Sequence, residues 1–208
     1  MDYKTLILRI TTGIVLLFFL YIFFNNVYQY LNLAVSLIYI FLIIEVIKYF
    51  KYKKLYIILY LIGSLIFFQV YYIYFIEKYF FVFMIVLIII FDSFSYFFGS
   101  IFGIKKILPN ISPGKTYFGF FSGLIMAFIF SIFFHQLYFN EENIIIFTSL
   151  SILIVILSFI GDLIESKFKR INDIKNSGNI LPGHGGLFDR FDGMIFIFYF
   201  MPIVEYIL

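Results

Sequence analysis

Ionisable side chains beside lipid are costly and mark candidate functional sites, and in this sequence they gather in two polar stretches. The denser stretch begins Gly161-Asp162-Leu163-Ile164-Glu165-Ser166-Lys167-Phe168-Lys169-Arg170. It continues through Lys175-Asn176-Ser177-Gly178 and Pro182-Gly183-His184-Gly185-Gly186, and closes with Asp189-Arg190-Phe191-Asp192. Asp162, Glu165 and Lys169 share one face of a helix, and so do Asp189 and Asp192, if each segment is helical. Two acidic helix ends joined by a basic, glycine-rich loop suit a hard cation and a polyphosphate together. Carboxylates hold Mg²⁺, whose remaining positions take water and phosphate oxygens. Lys and Arg neutralise the other phosphate charges, and glycines admit close backbone approach. A topogenic loop with salt bridges would account for the bases but not for several acids beside the membrane. His184, set between glycines, has the chemistry to bind phosphate or donate a proton; no second histidine supports a zinc site, since His135 falls at an outer helix end and reads as interfacial.

The second stretch runs from Asp92-Ser93 through Tyr96 and Gly99 to Ser112-Pro113-Gly114-Lys115-Thr116. Ser, Pro and Gly ahead of an apolar run place free backbone N–H groups at a helix start, a setting that binds anions. An ordinary N-cap followed by a snorkelling lysine fits the same residues. Glu45 and Glu205 lie near the ends of apolar runs and read as snorkelling carboxylates.

Long apolar segments must position these stretches. The chain is 63% hydrophobic and only 13% charged, against roughly 25% charged in soluble domains, so lipid is part of its solvent. The continuous runs exclude an alternating β-barrel and predict an all-α polytopic protein of about seven spans. These are Leu6–Phe24, Leu31–Ile47, Leu55–Ile76, Tyr79–Phe98, Tyr117–Phe134, Ile144–Ile164 and Phe191–Leu208, the last short and interrupted by Pro202. The first follows Lys4 and Arg9 and precedes no small-residue cleavage site, so a retained anchor is expected. All the basic residues except Lys78 fall on one alternating set of connections, which predicts a cytoplasmic N-terminus with both polar loops inside. Residues 1–78 are expected to form N-terminal transmembrane helices. Residues 79–208 are expected to form a catalytic region with cytoplasmic loops 99–116 and 165–190. The absence of cysteine excludes disulfides, thiolate metal sites and a Cys nucleophile. A net charge of +3 is too small to suggest nucleic acid as a partner.

Ser166-Lys167-Phe168-Lys169-Arg170, then Lys175, then Pro182-Gly183-His184-Gly185-Gly186-Leu187-Phe188-Asp189-Arg190-Phe191-Asp192, resemble the signature of the phosphatidate cytidylyltransferase (CDP-diacylglycerol synthase) family. Gly161-Asp162-Leu163, Asp92-Ser93 and Ser112-Pro113 with Lys115-Thr116 extend that likeness over about residues 90 to 200. Asn176 stands where the family commonly carries Asp. The resemblance implies transfer of CMP from CTP to phosphatidate at a membrane, with Mg²⁺ as cofactor. It implies Asp162, Asp189 and Asp192 as metal ligands, and Asp162, Lys169, Arg170, His184, Asp189 and Arg190 as catalytic. Asp92, Ser112, Lys115, Thr116, Lys167, Lys175, Gly185 and Gly186 would then bind substrate.

Phosphatidate carries its own anionic nucleophile, so catalysis would rest on positioning and charge neutralisation. A CTP-dependent lipid-alcohol kinase and a non-catalytic lipid-binding or transport protein are the alternatives. The sequence leaves oligomeric state open, a homodimer included.

Overall fold

Hydrocarbon offers no water to unpaired backbone groups, so long apolar runs satisfy their N–H and C=O internally as helices. The computed structural model describes residues 30–139, 142–179 and 185–208. The first expected span, with Lys4 and Arg9, lies outside the described residues, as does His184.

Among the described residues, five helices are long and apolar enough to cross a membrane. They are α1 (Leu31–Tyr49), α2 (Lys54–Tyr74), α3 (Lys78–Phe102), α4 (Tyr117–Tyr138) and α5 (Ile144–Ile171). The last expected span is broken into α6 (Phe188–Phe198) and α7 (Met201–Ile207). The break precedes Pro202, which is tolerated in the first turn of α7 where its missing N–H costs nothing.

The all-α expectation holds for the membrane-spanning part, with one addition. Between α3 and α4 the chain forms an antiparallel ribbon of β1 (Lys106–Leu108) and β2 (Ser112–Thr116), pairing Lys106 with Thr116 and Leu108 with Ser112. Pro109 and Asn110 supply the turn. Every strand of a two-stranded ribbon is an edge, so Pro113 is accommodated. The expectation that Ser112-Pro113-Gly114 opens a helix is thereby corrected. Thr116 alone is the N-cap of α4, its hydroxyl accepting from Gly119 N at 3.1 Å.

The phenylalanine excess goes into packing. Phe83 of α3 lies 5.0 Å from Phe134 of α4 and 4.8 Å from Phe147 of α5, ring centre to ring centre. A buried polar link ties α1, α2 and α6: Tyr39 meets Ser64 at 2.5 Å, and Ser64 Oγ donates to Ile195 O at 2.5 Å. At the opposite end of the bundle from Glu77 and Asn143, the basic connections converge. Asn172, just past α5, accepts from Lys51 N and Tyr52 N between α1 and α2.

Candidate active site

Helix α5 continues past the expected boundary at Ile164 because nothing breaks it until Asn172-Asp173, where Asp173 adopts φ 54°. Lys169 and Arg170 in the last turn complement the carboxyl end of the helix dipole. Asp162, Glu165 and Lys169 consequently line one helical face, as their spacing requires. Helix α6 crosses that face very closely. A Cβ on Gly161 would lie 2.6 Å from Asp192 O and 2.9 Å from Gly193 Cα, so small residues at the crossing let the backbones touch.

That crossing brings together Asp162, Glu165 and Asp192, whose carboxylate oxygens lie within 4.8 Å of one another. Glu165 is fully buried. Its Oε2 pairs with Lys169 Nζ at 2.5 Å, and its Oε1 has no hydrogen-bond donor among the described residues. Lys169 also reaches Asp189 Oδ1 at 2.7 Å. Asp189, expected with Asp162 and Asp192 as a ligand, stands beside this trio rather than in it. Its Oδ2 accepts from Gly186 N at 2.9 Å and Ser177 N at 3.0 Å. Burial pushes the Asp189 carboxyl up, but the bonds from Lys169, Gly186 and Ser177 outweigh it and hold the carboxyl below its usual range.

Asp162 also forms the edge of a cavity of about 550 Å³ between α3, α4, α5 and the ribbon, a volume typical of small-molecule sites. Asp92, Ser95, Lys106, Ser112, Lys115 and Thr116 are among its walls. Lys115 pairs with Asp162 and lies 4.3 Å from the centre of the Phe159 ring, so it faces inward rather than snorkelling to the interface. Ser166 Oγ donates to Asp162 Oδ1 at 3.2 Å.

The other expected residues are distributed around this centre. Arg170 donates from Nε to Ile111 O at 3.0 Å and so latches the ribbon to α5. Lys175 and Arg190 are exposed and are not among the residues lining the cavity. Lys167 is not brought to the cavity; it lies on another face of α5 and shares a separate cleft with Lys53 and Tyr56. The acidic trio includes Glu165, which sequence reasoning had placed on the right helix face without assigning it to metal. Lys106 had been taken only as a topogenic charge. Glu45 does not snorkel as expected. It is fully buried and accepts from Ser177 Oγ, from Leu187 N at 2.8 Å and from Phe188 N at 3.2 Å.

A membrane helix bundle with an acidic trio opening on a lysine-walled cavity defines the class, and comparison with known proteins makes it specific. Residues 2–208 match the family described as the cytidylyltransferase family, and the chain belongs to it. It is similar to the phosphatidate cytidylyltransferase of Bacillus subtilis (strain 168), at 39% identity over 117 residues that cover 56% of this chain and 42% of that protein. It is 44% identical to the Haemophilus influenzae protein of the same name over 107 residues, 50% of this chain and 37% of that one. With the Staphylococcus haemolyticus protein of that name it shares 43% identity over 119 residues, 56% of this chain and 44% of the other. The matched segment is thus less than half the length of each of these relatives.

Proposed function

We propose that this chain transfers CMP from CTP to phosphatidate, giving CDP-diacylglycerol and pyrophosphate for phospholipid biosynthesis. The observation that carries the reading is the junction of the acidic trio with the lysine-walled cavity at Asp162. Both lie at the end of the bundle where the basic connections gather. The basic connections at that end support a cytoplasmic orientation; in the cell (inner) membrane, CTP and a lipid phosphate would then meet there without crossing the bilayer.

The residues fit a divalent cation. The four carboxylates Asp162, Glu165, Asp189 and Asp192 face the two ammonium groups of Lys115 and Lys169, which leaves a formal surplus of two negative charges. Glu165 Oε1 is also buried without a donor among the described residues. Asp162, Glu165 and Asp192 would hold Mg²⁺, and Asp189, now paired with Lys169, would be a further ligand if Lys169 paired with a phosphate instead. Bound there, the ion would supply charge neutralisation on phosphate oxygens.

In the reaction an anionic oxygen of phosphatidate attacks the α-phosphorus of CTP. A new P–O bond forms, the bond from the α-phosphorus to the bridging oxygen breaks, and pyrophosphate leaves with the electron pair. No side-chain nucleophile is required. Lys106, Lys115 and Lys169 spread the developing charge, and Ser112 and Thr116 border the same cavity. Arg170, Lys175 and Arg190 carry phosphate charge at the rim. His184 would act on phosphate from the connection between α5 and α6.

The test is purified protein in phosphatidate-containing vesicles with Mg²⁺ and CTP labelled at either the α- or the γ-phosphate. Label from the α-position in the lipid, with release of pyrophosphate, supports the proposal. Transfer of the γ-label to a lipid alcohol replaces it with a kinase, and no transfer of either label leaves a lipid-binding or transport role.

A further inference from the structure

We propose that Glu45 is a positioning residue: from α1 it caps the amino end of α6 and thereby holds the carboxylates of α6 against α5. The inference rests on the proposed reaction only for what those carboxylates do.

A helix begins with backbone N–H groups that have no partner inside it. At the start of α6 the N-cap residue is Leu187, which has no side chain able to accept them. Glu45 takes that part from a distant point in the chain. Its carboxylate accepts from Leu187 N at 2.8 Å and Phe188 N at 3.2 Å, and Ser177 Oγ is a third donor. A fully buried carboxylate is tolerated only with such partners. The amino end of a helix, worth about half a positive charge, adds a favourable field. An amide in its place presents one acceptor and one donor group, so it cannot satisfy three donors.

The surroundings are shaped to this carboxylate. A Cβ on Gly178 would lie 2.8 Å from both Glu45 Cγ and Cδ. A Cβ on Gly186 would collide with Glu45 Oε1 and Ser177 Oγ. Both glycines therefore leave room for the contact between loop and helix.

The bonds continue into the site. Ser177 Oγ, while donating to Glu45, accepts from Asp189 N at 3.2 Å, and Ser177 N donates back to Asp189 Oδ2 at 3.0 Å. Asp189 holds Lys169, and Lys169 holds Glu165. Asp192 follows Asp189 on the same face of α6. Loss of the cap would loosen the α6 start, and with it the spacing of Asp189 and Asp192 from α5.

Two variants test this in the full chain: Glu45→Gln, and Ser177→Ala, which removes one donor to Glu45 together with the acceptor for Asp189 N. Amide hydrogen exchange is measured without substrate, and steady-state kinetics are measured separately. Glu45→Gln should speed exchange at Leu187 and Phe188 by about tenfold or more, the scale of a lost bond to a charged group. Exchange in α3 and α4 should stay unchanged, and Ser177→Ala should give a smaller effect at the same amides. Turnover in Glu45→Gln should fall about tenfold with the KM for phosphatidate unchanged. Wild-type exchange at Leu187 and Phe188 would overturn the inference, as would a uniform acceleration across all helices, which would mark bulk stability alone. If the unaltered protein transfers no CMP, the proposed reaction fails, while the exchange pattern still decides the role of Glu45.

Discussion

The ribbon Lys106–Thr116 and the described residues of the connection between α5 and α6 flank the same acidic cluster, but the ribbon is tied to α5 by partly exposed groups, the Arg170–Ile111 bond and the Lys115–Asp162 pair, and the connection by buried ones. Glu45 and Asn172, both buried, bind the connection to α1 and to the turn between α1 and α2. A hydrogen bond open to water contributes little net stability, whereas leaving a buried donor or acceptor unpaired is expensive. The side of the site that carries Asp189 and Asp192 is therefore preorganised. The ribbon side, with Lys106, Ser112 and Lys115, is mostly exposed or half-buried, the character of segments that respond to ligands.

Asp162 touches both sides, so breaking it should have the largest effect. Asp162→Asn removes the partner of Lys115 and one corner of the acidic trio. Turnover should drop by at least about a hundredfold, as for loss of a metal ligand or its support, measured as CMP transfer at saturating CTP. Activity within a few fold of the unaltered protein would show that the two sides work independently.

Asp189→Asn comes next. It loosens Lys169 and the Gly186 and Ser177 amides together, and turnover should fall by at least about tenfold with membrane insertion intact. The same variant has a pH signature. The Asp189 carboxyl is held below its ordinary value in the folded chain, so its stabilisation is present above the unfolded pKa and is lost as pH falls through the folded one. Thermal unfolding followed from about pH 5 downward should show a loss of stability below about pH 4 that is shallower in Asp189→Asn.

Asn172→Ala sharpens the contrast from the fixed side without touching the chemistry. It strands the Lys51 and Tyr52 amides, and should cost about 1–3 kcal/mol of stability by denaturant titration, with turnover nearly unchanged at low temperature. Arg170→Ala, on the ribbon side, should have the smallest effect on stability, under about 0.5 kcal/mol. It should instead raise the KM for CTP. A stability loss in Arg170→Ala matching that in Asn172→Ala would erase the distinction between the two sides.

Much of the spanning architecture was legible because hydropathy acts over whole segments. The starts of α1, α4 and α5 fall where the apolar runs begin, and Pro202 announced the broken last helix. The ribbon was not legible, since Ser112-Pro113-Gly114 serves equally as a helix start or a turn-bounded strand. At the site, the spacing of Asp162, Glu165 and Lys169 gave their common face correctly. Lys167, one position from equally plausible neighbours, could not be sorted from them until the helix phase was known against a particular partner. Glu45 carried a misleading signal, because a carboxylate one turn from a helix end looks the same whether it reaches water or a buried amide.

The order of the chain alone therefore determined that it is a helical membrane protein, which end of its bundle is basic, and which short stretches hold the ionisable groups. These follow from local composition and periodicity, which lipid and helix geometry read directly. Only the tertiary structure decided that Glu165 joins Asp162 and Asp192, that Asp189 is engaged with Lys169 and two backbone amides, and that Glu45 caps α6. Those outcomes depend on the close crossing at Gly161 and Gly193 and on contacts between residues more than a hundred positions apart, for which no local pattern in the sequence carries the distance.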